Sequence, residues 1–387
     1  MTHRGSHRSS SPSFRGGDPM TLCLCSDEQV TRARFRFLLD DFFDRGIARA
    51  AAFGPDVERL WQLAARTVSG GKLVRPNLLI GVFDALISDR SCAPHRDPER
   101  ASEVVAHLAV GIELLHYAFL LHDDVLDGDL LRRGHPNLIG AVLDDDDTSA
   151  PDAARSMHWA QTCGILMGDL LLSATHQIFA RAELPAAQRG HLFDLLDLTI
   201  LDSVAGELVD VGLSDAVIAP ELSTILDMTT RKTATYTFEL PMRMAAVLAD
   251  APPVLERRLG DIGRHLGLGF QLQDDLICAF GDPASHGKDR YSDLREGKQT
   301  AIIAAARQTK AWPRVETLLA KAAFSRDAAA ELSELLRDCG AQDRVADLAE
   351  QEFRSAVALI NTSGGELPPA ARAVLLDLVA SLRGRRS

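Results

Sequence analysis

Lysine is scarce in this chain. Six of its 42 basic residues are lysine, at positions 72, 232, 288, 298, 310 and 321. Arginine is therefore the default cation, and each lysine hints at a site that wants a compact ammonium rather than a planar fork. Cysteine is sparse as well: the six residues include no C-x-x-C pair. That pattern encodes neither a disulfide framework nor a zinc site, and a cytosolic location is expected. No run approaches the roughly 18 uninterrupted apolar residues of a bilayer-crossing helix, so no transmembrane segment is expected. Nor is there a basic excess, since 54 acidic residues face 42 basic ones for a net charge of −12. A nucleic-acid partner is thereby disfavoured, and cations are the expected counterparts. Strand-like alternation is nearly missing too.

What the chain has is length and helical pattern. Its 387 residues are 46% hydrophobic and 25% charged, enough for one large core. Residues 1–26 are rich in Ser, Arg and Gly without apolar periodicity and read as a disordered tail. From 27 to 387, proline-free runs (99–135, 152–184, 186–219, 314–367) carry apolar residues three or four apart. No linker or repeat divides them, so the expectation is a single all-α domain of ten or more helices. The run Asp144–Asp147 reads as a solvated surface loop, because consecutive charges point in different directions.

Two apolar stripes end on aspartates. Val104, Leu108, Ile112, Leu115 and Phe119 mark one inward helix face, and the same step continues onto Asp123 and Asp127, with Asp124 about 100° round. Ile262, Leu266 and Phe270 likewise lead to Asp274, with Asp275 beside it. Inward carboxylates repel unless a cation lies between them. Oxygen-only donors suit Mg²⁺, which takes a few carboxylates together with water and substrate phosphate. Cationic residues flank both clusters: Lys72 and Arg75 in Gly70-Gly71-Lys72-Leu73-Val74-Arg75-Pro76, then Arg132 and Arg133, then Lys232 beside Thr233, then Lys288 and Lys298. Basic groups around paired aspartates describe a site for phosphorylated substrates held through metal.

These motifs are recognisable together. Gly-Gly-Lys-x-x-Arg-Pro at 70–76, His122-Asp123-Asp124-Val125-Leu126-Asp127 with Arg132-Arg133-Gly134, Lys232-Thr233, and Gly269-Phe270-Gln271-Leu272-Gln273-Asp274-Asp275 resemble the trans-isoprenyl diphosphate synthases. The stretch from Gly281 to Lys298 resembles the bacterial geranylgeranyl diphosphate synthase branch. The resemblance implies an all-α bundle around a deep central cavity, usually a homodimer, joining isopentenyl diphosphate to an allylic diphosphate (dimethylallyl, geranyl or farnesyl). It also implies roles. Asp123, Asp124, Asp127, Asp274 and Asp275 would hold Mg²⁺, three ions with substrate bound. Arg132, Lys232 and Lys288 would grip the allylic diphosphate, with Lys298 bracketing the loop after the second cluster. Lys72, Arg75, His116 and Arg133 would bind isopentenyl diphosphate, while Thr233 and Gln271 face the allylic cation.

Two positions depart from the family pattern: Cys278 stands where the fullest second motif has a third aspartate, and Glu207 where glutamine is commoner. The second metal motif of a class I terpene cyclase, which mixes Asn, Ser or Thr with Glu, has no counterpart here. A non-catalytic subunit of another prenyl synthase usually loses aspartates from one cluster, and here only the fifth position of the second is changed. Product length should follow from what blocks the tunnel below Asp123: Phe119 about 6 Å down the helix and Leu115 about 12 Å. Ala118, five before Asp123, is small where short-product relatives carry an aromatic. That favours geranylgeranyl diphosphate, with farnesyl diphosphate as the main rival.

Overall fold

Glycine and proline punctuate the chain where helices must stop, and the resulting rods assemble around α4. The computed structural model describes residues 26–68, 73–88, 98–132, 134–145, 152–281, 291–322, 325–363 and 366–385. The tail expected at 1–26 lies almost wholly outside them. In order the helices are α1 (Ser26–Ala50), α2 (Pro55–Val68), α3 (Val74–Ile87), α4 (Pro98–Asp127), α5 (Leu138–Leu143), α6 (Ala153–Arg181), α7 (Ala186–Ser214) and α8 (Leu222–Thr229). A π-helical segment (Thr230–Glu239) then leads into α9 (Leu240–Leu248) and α10 (Pro253–Phe280). Short α11 (Ser292–Glu296) and α12 (Ala301–Arg307) precede α13 (Trp312–Ala322), α14 (Arg326–Asp338), α15 (Ala341–Thr362) and α16 (Pro369–Arg383). Among the described residues the extended structure is one hairpin, Leu131–Arg132 paired antiparallel with His135–Pro136. The all-α expectation holds.

The apolar stripe on α4 does what its period implies: Leu108, Ile112 and Leu115 are fully buried, packed with Phe83, Phe179 and Phe238 in the larger core. α4 lies along α6, and α10 lies along α15 and the π-helical segment. A second core gathers α12 to α15 around Leu276, Ile302 and Leu332. Burial of side chains of this size contributes roughly 1.5–3 kcal/mol each. Two helices, 99–127 and 153–181, reach the length and hydropathy of a bilayer span; in the first, 78% of the most apolar window is buried inside the fold, as in any core helix.

The π-helical segment is held by close backbone approach. Its wider winding is seen in the Leu240 N–H, which donates to the Thr235 carbonyl. A Cβ at Gly206 on α7 would run into the Lys232 backbone, and one at Gly267 on α10 would meet Ala234. Side chains larger than hydrogen at these two positions would push the segment off both neighbours.

Candidate active site

A cavity of about 1550 Å³ opens between the ends of α4 and α10. Both aspartate stripes reach it, with Asp123 on one wall and Asp274 and Asp275 on another. α4 delivers Phe119 one turn and His116 two turns below Asp123, and the π-helical segment delivers Lys232, Thr233, Tyr236 and Thr237. Unusual winding of this kind is frequent at functional sites, because it turns successive side chains toward one space.

Each aspartate is met by a cation or a donor of the chain itself. Lys232 Nζ lies 2.9 Å from Asp123, 2.9 Å from Glu207 and 2.6 Å from Asp210. Arg132, presented by the hairpin that Gly134 turns at φ 78°, reaches back to Asp124 and sits 3.5 Å from Asp123. Lys298 Nζ is 3.0 Å from Asp127 and 3.3 Å from Glu296. Asp274 pairs with Arg385, whose guanidinium also stacks 4.3 Å over the Phe270 ring. Gln271 donates to Asp275 at 2.9 Å. Accordingly, among the described residues no three His, Cys, Asp or Glu side chains converge as a ready-made metal cage.

The charge balance is uneven. Burial pushes Asp123 upward, but Lys232, Arg132 and Lys298 together outweigh it and hold its carboxyl below the usual range. Asp124, more deeply enclosed with Arg132 as its main cation, is pushed up to about 6 by burial. Glu207 is pushed up to about 7, burial again exceeding the help from Lys232. Burial alone would lower the Lys232 ammonium, yet three surrounding carboxylates raise it. The donor set fits a hard divalent ion: carboxylate oxygens from two helix ends around one cavity. Cys278 is buried, which pushes its thiol up to about 12, and its sulfur lies 3.2 Å from the Ser292 hydroxyl.

A second polar group lines the same cavity. Arg75 is buried, donates to the Thr237 hydroxyl at 2.8 Å and stacks 4.4 Å over the Tyr236 ring, with His116 5.7 Å from the same ring. Leu73, at its edge, is the residue before α3 and has φ 49°, a strained conformation for a bulky side chain. Lys72, Arg133 and Lys288 lie outside the described residues. Phe119 lines the cavity, whereas Leu115 and Ala118 are fully buried and do not line it. Tyr236, Thr237 and Arg385 were not singled out from sequence. Tyr236 and Thr237 follow the Lys232-Thr233 motif on the same segment, which was the available signal; nothing in the sequence marks Arg385.

The polyprenyl synthetase family model matches residues 57–337. A geranylgeranyl diphosphate synthase from Sulfolobus acidocaldarius is 31% identical over 251 residues, which is 64% of this chain and 67% of the relative. A (2E,6E)-farnesyl diphosphate synthase from Mycobacterium bovis is 28% identical over 326 residues, 82% of this chain and 80% of the relative. Among solved structures, the geranylgeranyl pyrophosphate synthase from Corynebacterium glutamicum, complexed with isoprenyl diphosphate and magnesium, superposes with a TM-score of 0.83. It is 28% identical, covering 94% of this chain and all of that one. With the cavity, the two aspartate clusters and a family match across most of the fold, the chain belongs to the polyprenyl synthetase family and is a prenyltransferase.

Proposed function

We propose that this protein condenses isopentenyl diphosphate with an allylic diphosphate and releases geranylgeranyl diphosphate. The observation that carries the reading is two groups of cationic side chains lining one cavity, Lys232 and Arg132 beside Asp123 and Arg75 with Thr237 beside Tyr236, each of which we assign to one diphosphate. One substrate with one diphosphate would need a single such group. Asp123, Asp124, Asp127, Asp274 and Asp275 would hold Mg²⁺, three ions in the loaded site. Those ions would supply the positive charge that lets a diphosphate leave.

The chain's own residues do the rest. Lys232, Arg132 and Lys298 exchange their carboxylate partners for the phosphate oxygens of the allylic substrate, stabilising the anion that forms as the C–O bond breaks. Thr233 Oγ1 and the Gln271 side chain line the cavity where the allylic cation is left. Arg75 and His116 place the isopentenyl diphosphate so that its double bond faces that cation. The apolar wall of Leu120, Leu172, Ile200 and Phe119 keeps water from intercepting it. Loss of a proton, for which the departing diphosphate serves as base, completes the new double bond.

The test is turnover by the purified protein with Mg²⁺, isopentenyl diphosphate and each allylic starter, with product length read by mass spectrometry. A C20 product with activity abolished by excess chelator supports the reading. A C15 product transfers it to a farnesyl diphosphate synthase, and no product from any starter refutes a self-sufficient synthase.

The same reading extends to assembly as a homodimer. α6 exposes Trp159, Leu166 and Leu170, and α7 exposes Leu198, Leu201 and Leu208 at helical spacing. Two adjacent apolar faces of this kind call for a cover. A second copy of the chain supplies one, and Leu201→Glu with Leu208→Glu should then turn a dimer into a monomer in analytical ultracentrifugation.

A further inference from the structure

Phe119 is a bulky ring lining the cavity one turn below Asp123, and such a ring stops a growing tail only if it stays in place. Of the other α4 residues near this depth, Leu120 also lines the cavity, whereas Ala118 and Leu115 are buried in packed core and do not line it. An unrestrained phenylalanine has alternative χ1 wells, and leaning into another of them would open the tunnel. Across the cavity, however, the Tyr236 ring meets Phe119 edge to face, with centroids 5.4 Å apart and planes at 83°. Such an arrangement is the favoured one for two aromatic rings, whose positive edges seek negative faces.

Tyr236 is itself immobilised from the polar side. The Arg75 guanidinium lies 4.4 Å over its ring, and Arg75 is tied to Thr237, the next residue on the same segment, at 2.8 Å. His116, one turn before Phe119 on α4, adds a tilted ring contact at 5.7 Å. The tyrosine thus bridges two functions: one face is fixed by the pocket assigned to isopentenyl diphosphate, and its ring fixes the floor below.

We propose that Tyr236 is a positioning residue for product length, acting by holding the Phe119 ring across the tunnel. The inference rests on the synthase reading above. It assigns length control to a residue on the π-helical segment, opposite the α4 wall. Losing one edge-to-face contact should shift the balance between the two Phe119 positions by roughly twofold to tenfold. Product released after one further condensation should rise by the same factor relative to wild type.

The experiment compares product distributions of Tyr236→Phe, Tyr236→Leu, Phe119→Ala and the pair Tyr236→Leu with Phe119→Ala. Tyr236→Phe keeps the ring and should leave the distribution unchanged. Tyr236→Leu should lengthen product, and Phe119→Ala should lengthen it at least as much. The double variant should match Phe119→Ala alone, since a brace has no effect once its load is gone. Where turnover is too weak to read, the affinity ratio for geranylgeranyl over farnesyl thiodiphosphate, measured by calorimetry with Mg²⁺, should rise twofold to tenfold in Tyr236→Leu. An unchanged distribution and ratio in Tyr236→Leu overturn the proposal, as does equal lengthening in Tyr236→Phe or an additive double variant. A wild type that makes no prenyl product removes the synthase reading instead, and this inference with it.

Discussion

Lys232→Met is the sharpest probe of the charge balance, because it keeps most of the side-chain volume and removes one ammonium from among three carboxylates. Each contact, at 2.6–2.9 Å, carries a gross attraction of about 6 kcal/mol at an effective dielectric of 20. Most of that is offset by the desolvation of four charged groups. Breaking a buried pair by deleting one partner costs about 3–5 kcal/mol. Here Lys232 is 21% exposed and Glu207 can take up a proton, so about 2–4 kcal/mol is the better figure. In a chain of this length that lowers Tm by about 3–6 °C at pH 8, read by differential scanning calorimetry. The loss should shrink at pH 5.5, where protons replace the missing ammonium, and millimolar MgCl₂ should raise the Tm of the variant more than that of wild type. A Tm unchanged at pH 8, or a deficit identical at both pH values, would refute the reasoning.

Glu207→Gln tests the departure from the family pattern. The folded protein raises this carboxyl from about 4.5 to about 7, so the neutral form is favoured below pH 4.5 and that advantage is lost as pH rises through 7. The amide should therefore raise Tm at pH 8 by several degrees relative to its effect at pH 5; an equal fall at both would show that the ion pair with Lys232 dominates. Asp123→Ala should lower turnover about 100-fold or more, the effect of losing roughly 3 kcal/mol of transition-state stabilisation. Arg75→Ala should raise KM for isopentenyl diphosphate more than for the allylic diphosphate, and equal increases would misplace the second pocket. Ala118→Phe should lower stability by about 1–3 kcal/mol through overpacking, because this side chain faces core; a stable variant with shortened product would place it in the tunnel wall instead.

That last contrast shows where the sequence is legible and where it stops being so. The 3.6-residue period found α4 and α10 and placed Asp123 and Asp274 at their inward ends, because burial leaves a periodic trace in residue type. It could not separate inward toward core from inward toward cavity. Leu115 and Phe119 lie on the same stripe, yet one packs among helices and the other lines the tunnel. The rest was hidden by distance along the chain. Arg385 meets Asp274 from 111 residues away, and Lys232 meets Glu207 from 25, with no local pattern to announce either pairing. The aspartates were expected to need a cation between them. Beside the metal expected there, the structure gives these aspartates lysine and arginine partners from the chain itself.

The winding of residues 230–239 has a consequence of another kind. Each residue advances an ordinary helix by about 100°, so the hydrogen-bond register of this stretch decides which way Lys232, Thr233, Tyr236 and Thr237 point. Deleting a single residue there would let the backbone relax to ordinary α-helical pairing and rotate everything before the cut relative to everything after it. Lys232 and Thr237 could then no longer face the same cavity, although every side chain named above would still be present. Residue count in this stretch is therefore as much a part of the active site as residue identity.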